Sequence, residues 1–199
     1  MGGSSLCSEV VRNVFGKREG YPELLVLDST VPEAVKALEE KIDIARTLFI
    51  VASKSGSTTE PVMFHRYFYD RVQSVKGHRA GESFIAITDP NTKMVEDAKR
   101  DHFRITFLNM ADIGGRYSAL SYFGLVPAAL LRADLQALIG AGADFAAACG
   151  PNVPPDESTG LLLGGALGAA AKAGRDKLTL VISPQIASLT ETCAGTLYE

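Results

Sequence analysis

Leu48-Phe-Ile-Val-Ala-Ser53-Lys-Ser-Gly-Ser-Thr58-Thr-Glu-Pro61 passes from an unbroken apolar run into a cluster of hydroxyls and then into a helix start. The apolar part does not alternate, so it reads as a strand covered on both faces. The residues after it read as a tight turn and a first helical turn, with Gly56 letting the backbone bend close. Ser53, Ser55, Ser57 and Thr58 place four hydroxyls among six residues, and Lys54 adds an ammonium. A helix N-terminus contributes unpaired N–H groups and partial positive charge, so the segment suits a phosphate. A plainer explanation covers part of it. Ser57 and Glu60 have the spacing of a capping box, and Pro61 is tolerated in a first turn. Capping leaves Ser53, Lys54 and Ser55 without a purpose, which favours a phosphate-binding loop.

Working outward, four more β-rich runs recur: Leu24–Asp28, Ser83–Thr88, Arg104–Asn109 and Leu178–Ser183. Helical patterns separate or flank them at Leu6–Phe15, Pro32–Ala45, Thr59–Val75, Thr92–Arg100, Arg116–Leu138 and Thr159–Ala173. Strand alternating with helix implies an α/β fold, a three-layer αβα sandwich around a parallel sheet of about five strands. Residues 1–199 read as one domain. Ligands of such sheets gather outside the carboxyl ends of the strands. The Ser53–Thr58 loop lies at one such end and Asn109–Gly115 at another. Asp89-Pro-Asn-Thr92 reads as a turn into a capped helix, and Gly174 as a helix stop. The opening glycine–serine turn has no strand before it, and the last residues carry no helix stop. Both features lead us to expect a piece truncated at both ends.

Bulk properties narrow the function. With 46% apolar and 22% charged residues the chain has the composition of a soluble globular protein, and a net charge of −3 gives no reason to expect nucleic acid. Cys7, Cys149 and Cys193 are too few and too scattered for a disulfide framework or a metal site, so a reducing cytoplasm is expected. Tyr117–Leu131 and Gly160–Ala171 are apolar but short of the roughly 20 residues a membrane span needs. They read as buried helices.

Arg116 is the one charged side chain between Ile113 and Leu131. It follows Gly114-Gly115 at an apparent helix N-terminus, where a cation opposes the helix dipole. The position makes sense if an anion comes to it, with the paired glycines letting backbone approach a ligand. A pairing with Asp112, or plain exposure, would also account for it. His65, His78 and His102 lack metal-ligand spacing and read as surface residues. Phe64, Tyr67, Phe68 and Tyr69 read as core. Cys7, close to a helix start, is a candidate for a lowered pKa, although no partner is visible for it.

Gly2-Gly-Ser-Ser-Leu6, the Ser53–Glu60 loop and Gly114-Gly-Arg-Tyr-Ser-Ala-Leu-Ser121 together resemble the phosphoglucose isomerase family. The isomerase half of bacterial transaldolase–phosphoglucose isomerase fusions is the nearest likeness, adding Phe64–Arg71 and Tyr117–Ala129. The likeness runs from Met1 to about Pro184. It implies a sugar-isomerase (SIS) fold and interconversion of glucose 6-phosphate and fructose 6-phosphate through a cis-enediolate. It also implies no metal or organic cofactor, no nucleic acid or membrane partner, and a homodimer in the complete enzyme.

By the same resemblance, Ser53, Lys54, Ser55 and Thr58 cradle the sugar phosphate, with Ser4 beside them and Ser57 in the same loop. Gly3 and Gly115 lie next to the substrate, and Arg116 faces the enediolate. The family's glutamate base belongs to a Glu-Ser-x-Gly-Lys segment that does not occur here. An ungapped count from Ile186-Ala-Ser188 brings Glu199 to that place. The ring-opening histidine and the late lysine of the family have no counterpart. A piece of this kind is expected to bind the sugar phosphate and, by itself, to turn over little. Two other readings stay open: a non-catalytic phosphosugar sensor, which has no need of Gly-Gly-Arg-Tyr-Ser, and an isomerase of amino sugar phosphates.

Overall fold

A computed structural model describes residues 3–189, with residues 3–5 as backbone alone. The chain gathers into two compact units, one built on the residues up to Ala133 and the other on Asp134–Ala187. The first holds a parallel sheet of β1 (Phe49–Ala52), β2 (Phe84–Thr88) and β3 (Ile105–Leu108), in that order. Val51 pairs with Ala86, and Ala86 with Thr106. Its helices are α1 (Gly3–Phe15), α2 (Pro32–Lys41), α3 (Thr59–Lys76), α4 (Lys93–Arg100) and α5 (Tyr122–Leu130).

Successive strand residues point to opposite faces. Val51, Phe84 and Ala86 meet Phe68 and Val72 of α3 and Met94 and Ala98 of α4, with Val35 and Leu38 of α2 at the margin. Ile85 and Ile87 meet Phe123 of α5, with Ile50, Ala52 and Phe107 beside them. Helix α1 lies on α5. The first unit is thus a three-layer αβα sandwich, as its alternation of elements requires. Central β2 is buried at every residue, which is why its apolar run does not alternate. Phe84, fully buried, packs 5.0 Å from Phe49 and 5.2 Å from Phe103. Burial of such a ring contributes about 1.5–3 kcal/mol.

The sheet has three strands, not the expected five or so. Leu24–Asp28 and Leu178–Ser183 pair with no strand among the described residues. β-propensity expresses packing on a sheet surface, and without a neighbour to take the ladder bonds it decides nothing. The expected Arg116–Leu138 helix is broken twice. A 3-10 turn spans Gly115–Leu120, then Ser121 turns extended and its hydroxyl accepts from Phe123 N at 3.3 Å, starting α5. Arg132 takes φ +56, and Asp134 accepts from Ala137 N at 3.0 Å to start α6 (Leu135–Ala148). Both caps obey ordinary N-cap chemistry, hidden in the sequence by the apolar residues around them. Pro32–Ala45 likewise ends as a helix at Lys41 and continues as a 3-10 turn over Ile44–Arg46.

In the second unit α7 (Thr159–Lys172) stops before Gly174, whose φ is +81. The expectation of burial fails for its apolar run, since neither α6 nor α7 has a buried residue. The two helices alone are too few to enclose a core. Among the described residues no helix is long and apolar enough to cross a membrane.

The expected core role of Phe64, Tyr67, Phe68 and Tyr69 holds for Phe68, 3% exposed and stacked 5.1 Å from Phe49. His65, expected on the surface, is instead buried edge-on against Tyr69, Phe84 and Phe103, at 5.5, 5.6 and 5.0 Å. It shares the inward stripe of α3 with Phe68 and Val72, a helical spacing its polarity obscured. Burial holds its imidazole below the usual pKa, while Asp101, with Oδ2 3.6 Å from Nε2, opposes this more weakly. Above about pH 6.5 the ring is neutral folded or unfolded. As pH falls through that value toward the lower folded one, the unfolded chain binds the proton first and stability drops. His65→Phe should therefore flatten the acid limb. Urea titrations at pH 7.5 and 5.5 check this, and an equal pH-dependent loss in variant and parent contradicts it.

Candidate functional site

The parallel ladder runs one residue past the strands. Ser53 N donates to Ile87 O at 3.0 Å, Asp89 N to Lys54 O at 3.2 Å, and Asn109 N to Thr88 O at 2.9 Å. These bonds place Ser53, Lys54, Asp89 and Asn109 along one carboxyl rim, where an open α/β sheet gathers ligands.

From Lys54 the chain turns through Gly56, with φ +64. A Cβ on Gly56 would stand 2.7 Å from Thr92 Cβ, so only glycine fits there in both conformation and space. The turn folds its hydroxyls together. Ser53 Oγ donates to Thr58 Oγ1 at 3.3 Å, and Ser55 Oγ lies 3.4 Å from the same atom. Ser57 donates to Ser55 Oγ from its N–H at 3.3 Å and from its hydroxyl at 3.1 Å. The capping box expected of Ser57 and Glu60 does not form. Thr58 holds the N-cap position of α3, and its side chain makes no cap bond. The hydroxyls bond to one another, and the first N–H groups of α3 take no side-chain cap from Thr58.

Lys54 Nζ donates to Asp89 Oδ2 and, at 2.9 Å, to the Ala111 carbonyl. The ammonium thus reaches sideways along the rim rather than standing alone as a counter-ion. Asp89 and Asn109 are 8% and 6% exposed, and Asp89 Oδ1 and Asn109 Nδ2 find no partner among the described protein groups. Sequence reasoning placed Asn109 at a strand end without giving it a role, and read Asp89 only as part of a turn. The available signal was their position, each closing a strand in a fold that binds ligands at those ends.

Arg116 is the second residue of the 3-10 turn Gly115–Leu120, with an exposed side chain. That turn is anchored on several sides. Ser118 Oγ donates to Gly115 O, Ser121 Oγ to Ser118 O at 2.8 Å, and Tyr122 N to Asn109 Oδ1 at 3.1 Å. Gly124 of α5 lies so near that a Cβ there would be 2.0 Å from Ala119 O. Cys7 Sγ of α1 lies 3.9 Å from Ser118 Oγ. Burial raises the Cys7 thiol pKa, and the Ser118 contact lowers it less. The lowered value expected from a helix start is overturned because Cys7 sits beneath the turn, 5% exposed.

Ser53, Lys54, Ser55, Thr58, Asp89 and Gly115 are among the residues lining one cavity of about 740 Å³, which also extends along β1 and the apolar segment 24–27. The structure therefore brings the hydroxyl loop and the Gly114–Gly115 segment to one space, with Arg116 following directly on Gly115. Ser57 stays in the loop, exposed. Gly3 and Ser4 stand in the first turn of α1, whose Ser8 reaches the same cavity. Glu199 lies outside the described residues. Among the described residues no group of His, Cys, Asp or Glu is placed to hold a metal ion.

The family model of phosphoglucose isomerase matches residues 1–145. A curated glucose-6-phosphate isomerase from Campylobacter jejuni is 32% identical over 151 residues, covering 73% of this chain and 36% of the relative. The crystal structure of a hypothetical protein from Thermus thermophilus superposes with a TM-score of 0.86 at 26% identity, over 98% of this chain and 46% of that one. That of a glucose-6-phosphate isomerase from Chlamydia trachomatis gives 0.74 at 25% identity, over 98% and 38%. The chain thus spans about a third of the length of the curated relatives it matches.

Proposed function

We infer that this chain, which belongs to the phosphoglucose isomerase family, supplies the phosphate-holding and oxyanion-facing part of an isomerase of glucose 6-phosphate and fructose 6-phosphate. The observation that carries the reading is the shared cavity, whose lining includes Ser53, Ser55 and Thr58 together with Gly115. The substrate phosphate takes the hydroxyls and the exposed N–H groups at the start of α3. That non-reacting end then holds the carbon chain in place for proton transfer. After ring opening a carboxylate moves a proton between C2 and C1, and the Arg116 guanidinium stabilises the oxygen charge of the cis-enediolate. Glu199 is our candidate for that carboxylate. We place the protein in the cytoplasm as a homodimer, working without a cofactor.

Coupled assay of the full-length protein with fructose 6-phosphate tests the reading. Turnover to glucose 6-phosphate is expected, whereas tight binding without turnover would indicate a sensor. Ser55→Ala and Thr58→Ala should each raise the Kd for fructose 6-phosphate about 10- to 100-fold, the loss of one hydrogen bond to a charged group. Calorimetric titration reads this, and an unchanged Kd in both variants removes the phosphate from the loop.

A further inference from the structure

We propose that Asp89 is a positioning residue that acts through Lys54, strapping the phosphate loop to the segment that carries Gly115 and Arg116. The proposal rests on the isomerase reading above and assigns a part to a residue outside the phosphate cradle. Asp89 closes β2, the middle strand, so it stands between the ends of β1 and β3. It holds Lys54 twice, by its N–H to Lys54 O at 3.2 Å and by its carboxylate to the ammonium. The same ammonium donates to Ala111 O at 2.9 Å, in the loop that runs on to Gly114-Gly115-Arg116. One half-buried charge pair thereby links all three strand ends.

The surroundings of Asp89 fit this part. Its carboxylate is 11% exposed and has the Lys54 ammonium as its ion-pair partner, and removing one partner of an enclosed pair is costly. Asp89 O accepts from Thr92 Oγ1 at 3.2 Å, and Thr92 is the residue against which Gly56 closes. The Asp89 turn therefore supports the bend of the phosphate loop as well as its lysine. The pairing also changes what Lys54 does. With its charge matched by Asp89, the cradle holds phosphate through hydroxyls and N–H groups, and the ammonium fixes the distance from cradle to Arg116.

Kinetics of the full-length protein with Asp89→Asn, which keeps shape and removes charge, provide the first test. A slackened strap misplaces Arg116 against a substrate still held by its phosphate, so kcat should fall about 10- to 100-fold with KM changed less than about threefold. If Asp89 merely restrained a phosphate-binding lysine, freeing it would lower KM and leave kcat alone, which overturns the proposal. The double variant Asp89→Asn with Lys54→Met leaves no lone buried charge and serves if the single variant fails to fold. It should show the single variant's defect and no more, since both changes cut one strap, and multiplied effects would contradict this.

A second readout needs no turnover. Acylation of Lys54 by an amine-reactive ester, located by peptide mass mapping, should be slow in the parent and at least about fivefold faster in Asp89→Asn. Equal rates sink the strap. A parent protein that labels as expected yet isomerises nothing would instead sink the isomerase reading and leave the strap standing.

Discussion

Replacing Arg116 by alanine in the full-length protein is expected to lower kcat about 10²- to 10³-fold while KM for fructose 6-phosphate moves less than about threefold. Loss of one preorganised group facing a developing oxyanion has an effect of that size. The charge on the enediolate oxygen is absent from the bound sugar, so the interaction belongs to the transition state and its loss appears in kcat. The phosphate end is untouched, because Ser53, Ser55 and Thr58 sit on the opposite loop. Ser118, Ser121, Asn109 and Gly124 all anchor the turn and remain in place in the variant. Steady-state kinetics on both sugar phosphates check this. A fall in affinity with kcat preserved would make Arg116 a phosphate ligand.

Gly56→Ala should be the most disruptive single change in the phosphate loop. Its φ of +64 puts a side chain in the left-handed region, at about 1–2 kcal/mol. The added Cβ would also stand 2.7 Å from Thr92 Cβ and 2.8 Å from Thr92 Oγ1. Thr92 cannot simply rotate away, because its hydroxyl is held by Thr88 Oγ1 at 2.9 Å and by Asp89 O. Forcing it aside adds about 1–3 kcal/mol of overpacking. The sum, about 2–5 kcal/mol, corresponds to a Tm lowered by roughly 5–15 °C. Thermal unfolding measures this. Fructose 6-phosphate binding should fall with it, since the bend that gathers Ser53, Ser55 and Thr58 is the bend that opens. A variant with the parent's Tm and Kd would show that the loop does not need this turn.

The three paired strands were legible because each is a short run of apolar residues without alternation, closed by a polar residue at the rim. Leu24–Asp28 has the same composition but, among the described residues, no strand beside it to take its ladder bonds, and composition alone does not distinguish the two. The helix breaks at Ser121 and Asp134 were hidden by apolar residues whose 3.6-residue period continues across both caps. His65 was misjudged by its polarity, although it lies on the stripe of Phe68 and Val72. At the site, Thr58 and Gly115 were assigned through the family resemblance, while Ser53, Lys54 and Ser55 stood out because capping did not explain them. Asp89 did not, because Asp-Pro is so ordinary a turn that its chemistry was accounted for already. Its partner Lys54 lies 35 residues away, a separation no local pattern records.

A crystal structure of the full-length protein with fructose 6-phosphate bound is the most direct trial of the shared cavity. The phosphate should lie within hydrogen-bond distance of Ser55, Thr58 and the first N–H groups of α3, with C1 and C2 beside Gly115 and the Arg116 guanidinium turned toward their oxygens. A phosphate seated away from the Ser53–Thr58 loop, or a carbon chain pointing away from Gly115, would contradict the account.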